Sequence, residues 1–361
     1  MTKNIPFAKP GITQKEISAV TRVLKGGWLT MADETATFEK EFAKYVGAGH
    51  AIAVNSCTSG LFLSLLSQGV GPGDEVIVPS FTFAACANVI VHCGATPVFV
   101  DVLPNGFTID PDDVKRKQTN RTKAVMPVHY GGNCAATNFD ITTIEDSAHK
   151  ITKNYHSKNI VCYSFYATKN LTTGEGGMIT CEDDRVAEWL TKARLHGLSH
   201  DAWKRYLPGN KWHYEVEFAG YKTNTIDMLS AMGRVQLSRL DQMEEQRRNI
   251  VTYYNKLLGL TNKGTHLYPI LVEKRDEFMD YMKDNDIGCS FHFLPLHQTP
   301  AYKGYKTPSL PVTEFIGYRV VTLPLHSTLS LKNIEYVCQK VLQFGKFQND
   351  RFSLSVLRAK L

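Results

Sequence analysis

The sequence predicts an α/β protein, with a mostly parallel central sheet flanked by helices and a smaller C-terminal α+β domain. One observation is the regular alternation, between residues 50 and 196, of short apolar runs with segments of helical periodicity, which is typical of βαβ units. A second is the change of period after Gly264. A third is the length of 361 residues, which is comfortable for two domains. We expect the boundary near residue 240, between a large domain at 1–240 and a small domain at 241–361.

The chain opens with an extended arm, because Pro6 and Pro10 disfavour helix. Thr13, followed three residues later by Glu16, predicts a capping box at the start of the first helix, which a glycine pair at 26–27 ends. A second helix is expected around residues 38–46. The alternating region then predicts strands at 51–54, 75–79, 96–102, 123–128, 143–145, 160–166 and 177–181, and helices at 55–69, 82–92, 111–117 and 184–196.

The last part of the chain has a different pattern. An irregular, aromatic segment at 198–221 predicts a long loop of the kind that is often functional. A helical tract at 226–258, with a break, leads to predicted strands at 267–272, 289–293 and 319–323 and predicted helices at 274–284 and 331–344. The tail at 346–361 is expected to be an arm or a frayed end.

Composition narrows the class of protein. The 41 basic and 35 acidic residues leave a net charge of only +6, and the basic residues are dispersed, so we expect no nucleic-acid partner. The eight cysteines form no C-x-x-C pair and several lie in apolar runs, which favours free thiols in a reducing compartment. The chain shows no signal peptide and no apolar run long enough for a bilayer, so we expect a cytoplasmic protein without a membrane partner.

One lysine stands in an unusual place. The predicted strand at 160–166 leads to Lys169, and a run rich in threonine and glycine follows before the next strand at 177. An ammonium between two buried strands loses water, so it needs a partner or must lose its proton. A lysine that readily becomes neutral is a nucleophile and can form a Schiff base. A surface hairpin with a solvated lysine is the alternative, and this stretch alone leaves both open.

Three further segments join a predicted strand to polar residues. The segment N-S-C-T-S-G at 55–60 opens a helix, which indicates either a phosphate cradle or an ordinary cap. In I-E-D-S-A-H at 144–149, Asp146 and His149 can face one site, as partners of a ring nitrogen, as metal ligands or as a cap. In P-S-F-T-F-A-A at 79–85, Phe81 or Phe83 can stack on a flat cofactor or pack in the core.

These segments can contribute to one site, because each follows a predicted strand and ligands of open α/β sheets bind at the carboxyl ends of the strands. A phosphate cradle, an aromatic plate, an acid for a ring nitrogen and a Schiff-base lysine are the parts that hold pyridoxal 5'-phosphate (PLP). Metal chemistry is not expected, because no set of cysteine and histidine residues has zinc spacing and His292 and His297 lack an H-E-x-x-H context.

The sequence resembles the PLP-dependent nucleotide-sugar aminotransferases of the DegT/DnrJ/StrS group, a branch of fold-type I, over residues 6–344. The resemblance rests on ten ordered motifs: G-W-L-T (27–30), N-S-C-T-S-G-L (55–61), P-S-F-T-F (79–83), G-A-T-P-V-F-V-D-V (94–102), P-V-H-Y-G-G (127–132), I-E-D-S-A-H (144–149), S-F-Y-A-T-K-N-L-T-T-G-E-G-G (164–177), R-L-H-G-L-S-H-D-A-W-K-R-Y (194–206), G-Y-K-T-N (220–224) and H-F-L-P-L-H (292–297). Among its departures, Tyr166 stands where the family often has histidine.

The resemblance implies roles for individual residues. Lys169 is the Schiff-base lysine and carries the proton, and Asp146 pairs with the pyridine nitrogen. The other residues on the cofactor side are Thr58 and Ser59 at the phosphate, Phe83 on the ring, His149, Ser164 and, from a neighbouring subunit, Asn224. The residues on the sugar-nucleotide side are Trp28, Thr30, Tyr166, His292 and His297. The contribution of Asn224 implies a homodimer with shared active sites.

The resemblance also implies the reaction, in which an amino group passes from L-glutamate to a nucleotide-linked keto-sugar, expected to be a 4-keto-6-deoxy sugar. Two alternatives remain in view. A PLP-dependent sugar dehydratase of the same fold carries histidine at the lysine position, and Lys169 speaks against it. A non-catalytic regulator of this fold is disfavoured because Lys169, Asp146 and Ser164 are all present and no DNA-binding module is attached.

Overall fold

The structure, a computed structural model, describes residues 4–199, 214–305 and 307–345. The first part of the chain forms α1 (Gln14–Gly26), α2 (Asp33–Val46), β1 (His50–Val54), α3 (Cys57–Ser67), β2 (Glu75–Pro79), α4 (Ala84–His92), β3 (Thr96–Val100), α5 (Pro111–Lys117), β4 (Thr122–Val125), β5 (Ile144–Asp146), β6 (Ile160–Ser164), β7 (Gly177–Cys181) and α6 (Asp184–Ala193). The second part forms α7 (Asp227–Ser238), α8 (Leu240–Leu258), β8 (Tyr268–Leu271), α9 (Arg275–Asp284), α10 (Pro311–Gly317), β9 (Val320–Leu323) and α11 (Leu331–Gln343).

The central strands are arranged in the order β1-β7-β6-β5 and β3-β2-β4, and parallel bridges from Val125 to Thr143 and from Val128 to Asp146 connect the two groups. Every pairing in this array is parallel except those of β7, which runs antiparallel to both β1 and β6. The prediction of a mostly parallel sheet is confirmed. Strand β7 runs antiparallel to β6, and the connection between them, 165–176, contains no helix of the kind that usually joins parallel neighbours.

Helices cover both faces of this sheet. Along β6, Cys162 packs with the core that α3 and α4 share, whereas Val161 and Tyr163 pack on the opposite face with Phe42 of α2. This alternation follows from the two-residue period of a strand, and a strand that is apolar at every position must be covered on both sides. The five residues of β6 are all buried. The sheet is therefore fixed on both faces, and only its strand ends are available to a ligand.

The predicted start of the first helix is confirmed in detail. The backbone N–H of Thr13 donates to Glu16 Oε2 at 2.8 Å, and Thr13 Oγ1 accepts from the N–H of Lys15 at 3.3 Å. The predicted break in the long helical tract is also present, because α7 ends at Ser238 and α8 begins at Leu240. The domain boundary near residue 240 stays a prediction.

One predicted strand is wrong. Residues 289–293 do not form a strand, and this segment makes only an isolated bridge from Ser290 to Thr322 of β9. The ladder does not continue to His292, whose carbonyl oxygen instead accepts a hydrogen bond from the hydroxyl of Tyr130 at 2.5 Å. Helix α10, which begins with Pro311 in its first turn, was not predicted.

Several element ends differ from the predicted ones by a few residues. The strand expected at 123–128 ends at Val125, the strand expected at 160–166 ends at Ser164, and the helix expected at 184–196 ends at Ala193. The central part of the aromatic loop and the tail at 346–361 lie outside the described residues. Among the helices of the described ranges, none combines the length and the apolarity that a membrane crossing requires.

Candidate active site

A cavity of about 530 Å³ lies at the edge of the sheet where β5 and β6 end. These strands are parallel, so their last residues, Asp146 and Ser164, meet at the same edge. Lys169 lies in the turn that follows β6, and its backbone N–H donates to the carbonyl of Tyr166 at 2.9 Å. All four residues line the cavity. The structure thus brings the predicted lysine and the predicted acid into one site.

The start of α3 forms another wall of this cavity, through Ser56, Cys57 and Thr58. Ser56 is the helix cap, and its Oγ accepts from the N–H of Ser59 at 3.1 Å. Gly177, the first residue of β7, allows this close approach, because a Cβ there would lie 2.6 Å from the backbone of Ser56 and of Cys57. A helix N-terminus with a threonine in its first turn provides the amide and hydroxyl donors that a phosphate requires.

Lys169 and Asp146 are electrostatically linked. Desolvation by the cavity walls lowers the pKa of Lys169 to about 8, and the charge of Asp146 opposes part of this lowering. A lysine with a pKa near 8 exchanges its proton readily close to neutral pH. This is the property required of a nucleophile or of a proton-transfer group. Of the two interpretations of this stretch, the geometry favours the functional one over a solvated hairpin.

Two cysteines contact the carboxylate of Asp146 through their thiols, and neither was predicted from the sequence. Cys86 Sγ donates to Asp146 Oδ2 at 2.9 Å, Cys57 Sγ lies 3.9 Å from Oδ1, and the N–H of Ala148 donates to Oδ1 at 2.9 Å. Burial, followed by the charge of Asp146, raises the pKa of both thiols well above its ordinary value. The thiols therefore stay protonated and act as donors to the carboxylate.

His149 stands beside this group in neutral form. Burial, with the nearby charge of Lys169, lowers the pKa of His149 well below its ordinary value. Its Nδ1 accepts from the N–H of Gly131 at 3.2 Å, so the ring proton is on Nε2. Gly131 adopts the left-handed conformation (φ 63°) at low cost because it has no Cβ, and its N–H faces Nδ1 of the histidine.

Two of the predicted ligand-side aromatic residues lie at the open side of the cavity. Phe83 is 61% exposed and Tyr166 is 47% exposed, although both line the cavity. The ring of Phe83 lies 5.9 Å from that of Phe293. Phe81 is instead completely buried and packs against Tyr130, so of the two predicted phenylalanines only Phe83 is available for stacking.

His292 also lines the cavity, and its Nδ1 lies 3.0 Å from Thr322 Oγ1. Burial, with the charge of Lys169, lowers the pKa of His292 to about 4, so the ring is neutral near pH 7. This residue comes from the C-terminal part of the chain. The cavity is therefore built from both parts.

Five predicted residues are not brought to this cavity. The Oγ of Ser59 donates to Asn55 Oδ1 at 2.7 Å, which turns it away from the lining. The ring of His297 lies between Ser80 Oγ at 2.7 Å and Glu314 Oε1 at 3.3 Å, and its expected substrate contact stays a prediction. The other three lie on the outer surface of the single chain or near it: Trp28, Thr30 and Asn224.

The cavity also contains residues that sequence reasoning missed. The most informative is His266, which lies two residues before β8 and lines the cavity beside His149. A polar residue before an apolar strand was the only signal available, and it does not distinguish a site residue from an ordinary loop residue. Other missed lining residues are Phe7, Cys57, Thr82, Thr168, Glu175 and Phe293.

The side chains present fit PLP. The cavity holds a carboxylate for a ring nitrogen, a lysine of lowered pKa for an aldehyde, and a helix N-terminus with the hydroxyls of Thr58 and Ser164 nearby for a phosphate. Among the described residues, no group of three or more His, Cys, Asp and Glu side chains could hold a metal ion. The donor set is that of an organic phosphate cofactor.

Comparison with known proteins agrees with this chemistry. The model of the DegT/DnrJ/EryC1/StrS aminotransferase family matches residues 10–342. A spore coat polysaccharide biosynthesis protein of Bacillus subtilis is 41% identical to the chain, over 95% of this chain and 97% of that protein.

Solved structures show the same likeness. A putative sugar aminotransferase of Streptococcus pneumoniae in its PMP form superposes with a TM-score of 0.85 at 30% identity, covering 93% of this chain and 98% of the other. The same protein was solved in a PLP form. DesV of S. venezuelae superposes with a TM-score of 0.85 at 29% identity, covering 95% of this chain and 99% of the other. The chain therefore belongs to the DegT/DnrJ/EryC1/StrS aminotransferase family and is a PLP-dependent aminotransferase, similar to solved sugar aminotransferases.

Proposed function

We propose that the enzyme transfers the amino group of L-glutamate to the ketone of a nucleotide-linked keto-sugar, giving an amino-sugar nucleotide for glycan biosynthesis. The observation that carries this proposal is the lysine of lowered pKa beside a buried carboxylate, in a cavity reached by exposed aromatic rings. A 4-keto-6-deoxy sugar is the proposed acceptor. Similarity to sugar aminotransferases supports the substrate class.

Each side chain has a proposed task. Bound PLP supplies an electron sink for the pair left when a C–H bond next to nitrogen is broken. Asp146 holds the protonated ring nitrogen, and Cys86 and Cys57 hold Asp146. Lys169 Nζ would accept the proton from the substrate carbon that bears the nitrogen and would deliver it to the former aldehyde carbon of the cofactor, on the other side of that nitrogen. A pKa of about 8 is well placed for this transfer.

The remaining residues are proposed to bind and orient the cofactor. The Nε2–H of His149 is a donor for an anionic oxygen, and Thr58, Ser164 and the N-terminus of α3 bind the phosphate. Phe83 stacks on the cofactor ring. In the reverse half of the cycle the ketone oxygen of the sugar would leave as water as its carbon bonds the nitrogen, and the same lysine would deliver a proton to that carbon.

We also propose that the active unit is a homodimer with shared sites. The cavity is open on the side of Phe83 and Tyr166, and large apolar rings that are about half exposed favour cover by a second chain. Trp28 and Asn224 do not line the cavity of their own chain, and the cavity of a partner chain is the proposed place for their contacts with ligand. The mass of the protein in solution, measured by light scattering, tests this part.

The amino-transfer proposal has a direct test. PLP-loaded protein is mixed with L-glutamate labelled with heavy nitrogen and with UDP-, dTDP- or GDP-linked 4-keto sugars, and products are analysed by mass spectrometry. Appearance of the label in a sugar nucleotide is expected. A deoxygenated, unlabelled product would instead support the dehydratase, and binding without any turnover would support the regulator.

Lys169→Ala should lower turnover by about 10³-fold or more, because the proton-transfer group and the nucleophile are both lost. The matched control is Lys158→Ala, which removes an exposed lysine and should keep wild-type activity. Full activity in the Lys169 variant would exclude the assignment.

A further inference from the structure

His266 has a defined place beside the cofactor cavity. Its backbone N–H donates to the carbonyl oxygen of Gly131 at 3.0 Å, and its ring centroid lies 4.5 Å from that of His149. The residue is 6% exposed, and it lines the cavity that contains Lys169. Neither the PLP chemistry above nor the family motifs named from the sequence use it.

Hydrogen bonds determine which ring nitrogen of His266 carries the proton. The amide nitrogen of Asn170 donates to Glu244 Oε1, and the other oxygen of this carboxylate accepts from Thr265 Oγ1 at 2.7 Å. A carboxylate can only accept, so the amide oxygen of Asn170 must face His266. That oxygen lies 2.9 Å from His266 Nδ1, which must therefore be the protonated nitrogen.

The other ring nitrogen is an acceptor that opens on the cavity. Burial, with the charges of Lys169, His149, Arg247 and His292, lowers the pKa of His266 well below its ordinary value, so the ring is neutral. Its Nε2 consequently bears a lone pair. Among the described residues, Nε2 has no hydrogen-bond partner. It is not sealed in the interior, because it is open to the cavity that His266 lines.

Two adjacent imidazoles thus have opposite hydrogen-bonding properties. His149 offers an N–H through Nε2, because its Nδ1 accepts from Gly131, whereas His266 offers a lone pair through Nε2. A neutral acceptor in a cavity with Lys169 suits an uncharged donor, because a cationic donor would add a like charge. L-glutamate offers only an ammonium and carboxylates, whereas a sugar offers hydroxyl groups.

We propose that His266 is a substrate-binding residue whose Nε2 accepts a hydrogen bond from a hydroxyl group of the sugar, with its orientation fixed by Asn170 and Glu244. This inference rests on the proposed function, because it assigns a contact within the same site. It predicts an effect on the sugar half of the cycle rather than on the glutamate half.

The test compares the two half-reactions of His266→Phe, which keeps a flat ring and removes the acceptor. Loss of the aldehyde-form absorbance of PLP-loaded protein on addition of L-glutamate measures the first half, and its return on addition of keto-sugar nucleotide measures the second. We expect kcat/KM of the sugar half to fall about 10- to 100-fold, mainly through KM, and the glutamate half to change much less. Equal losses in both halves, or an unchanged sugar half, would overturn the proposal.

Sugar analogues that each lack one hydroxyl identify the donor. With the wild-type enzyme, kcat/KM for one analogue should be lower than for the full substrate by about the factor that His266→Phe causes. With the variant, this analogue and the full substrate should have the same kcat/KM. If, for every analogue, the loss of kcat/KM from the missing hydroxyl adds to the loss from His266→Phe, the proposed contact is contradicted. If wild-type protein carries out neither half-reaction, the proposed function fails, which is distinguishable from failure of the His266 contact.

Asn170→Asp tests the orientation of the ring. A carboxylate at this position beside Glu244 favours a proton on both nitrogens of His266, which turns Nε2 into a donor despite the opposing charges of Lys169, His149, His292 and Arg247. The sugar half should then lose activity at low pH and regain it as pH rises. A pH profile identical to that of wild type would contradict the orientation.

Discussion

At the scale of single residues, the site depends on donors that keep one carboxylate in place. Asp146 is 5% exposed, and each of its oxygens faces a protonated thiol. A thiol is a weak donor, but a buried carboxylate without donors is costly. Cys86, at 2.9 Å from Oδ2, should therefore contribute to cofactor binding through Asp146 rather than by contact with the cofactor.

Cys86→Ala should weaken PLP binding by about 3- to 10-fold, because one oxygen of Asp146 loses its donor. Cys86→Ser should restore binding, since a hydroxyl is a stronger donor in nearly the same place. Titration of cofactor-free protein with PLP, followed by absorbance, measures both. Cys134→Ser, at an exposed thiol, is the control. A serine variant as weak as the alanine variant would mean that packing, not hydrogen bonding, is responsible.

At the scale of elements, the site is created by contacts between segments that are distant in sequence. Strand β7 begins against the N-terminus of α3, and Gly177 is the contact point. The turn between β6 and β7 carries Lys169, so the same contact determines how far the lysine lies from the phosphate end of the cavity. Loss of this close approach should lower both the stability of the fold and the affinity for PLP.

Gly177→Ala tests this contact. The added Cβ would lie 2.6 Å from backbone atoms of Ser56 and Cys57, and backbone cannot move aside as a flexible side chain can. We expect a loss of about 1–3 kcal/mol in the free energy of unfolding, measured by denaturant titration, and weaker PLP binding. Gly71→Ala, where nothing lies within 4 Å of the added Cβ, should be neutral in both measurements. A neutral Gly177 variant would show that the two segments separate easily.

At the scale of the whole molecule, buried neutral histidines link stability to pH. His326 is 3% exposed, with Nδ1 2.9 Å from Thr328 Oγ1, and within the described part of the chain its Nε2 has no hydrogen-bond partner. Burial, with the charges of Arg247 and Lys9, lowers the pKa of His326 from 6.5 to about 4. Between these two values the unfolded chain binds a proton that the folded protein does not. Stability from this group is therefore present above the unfolded pKa and is lost as pH falls toward the folded pKa.

The protein should lose about 1.5 kcal/mol of unfolding free energy through His326 alone when pH falls from 6.5 to about 5. His326→Asn keeps a hydrogen-bonding group for Thr328 and removes the titratable imidazole. The free energy of unfolding of this variant should therefore fall less steeply over this pH range. The control is His156→Asn, at an exposed histidine whose positive φ asparagine tolerates. Chemical denaturation at several pH values measures the slopes, and parallel slopes for His326→Asn and wild type would refute the linkage.

Local sequence was sufficient for most of the fold. The capping box of Thr13 and Glu16, the alternation of apolar strands with helices, and the break before α8 depend on residues a few positions apart, and their predictions are confirmed. The lysine and the acid were found for the same reason, because Asp146 ends one strand and Lys169 lies in the turn that follows the next strand. The strand predicted at 289–293 does not form, and the carbonyl of His292 bonds instead to the hydroxyl of Tyr130, 162 residues away, a contact that local sequence does not reveal.

The sequence by itself determined the fold class, the strand ends that gather at one edge, and the identity of Lys169 and Asp146 as candidates. Only the tertiary structure decided which neighbours give these residues their chemistry. Cys86 reaches Asp146 across 60 residues, and Asn170 reaches His266 across 96. Such contacts depend on how layers pack and on which hydrogen-bond partners remain within the interior. Hydrophobic periodicity determines which face of an element is buried, but not which side chain it meets there.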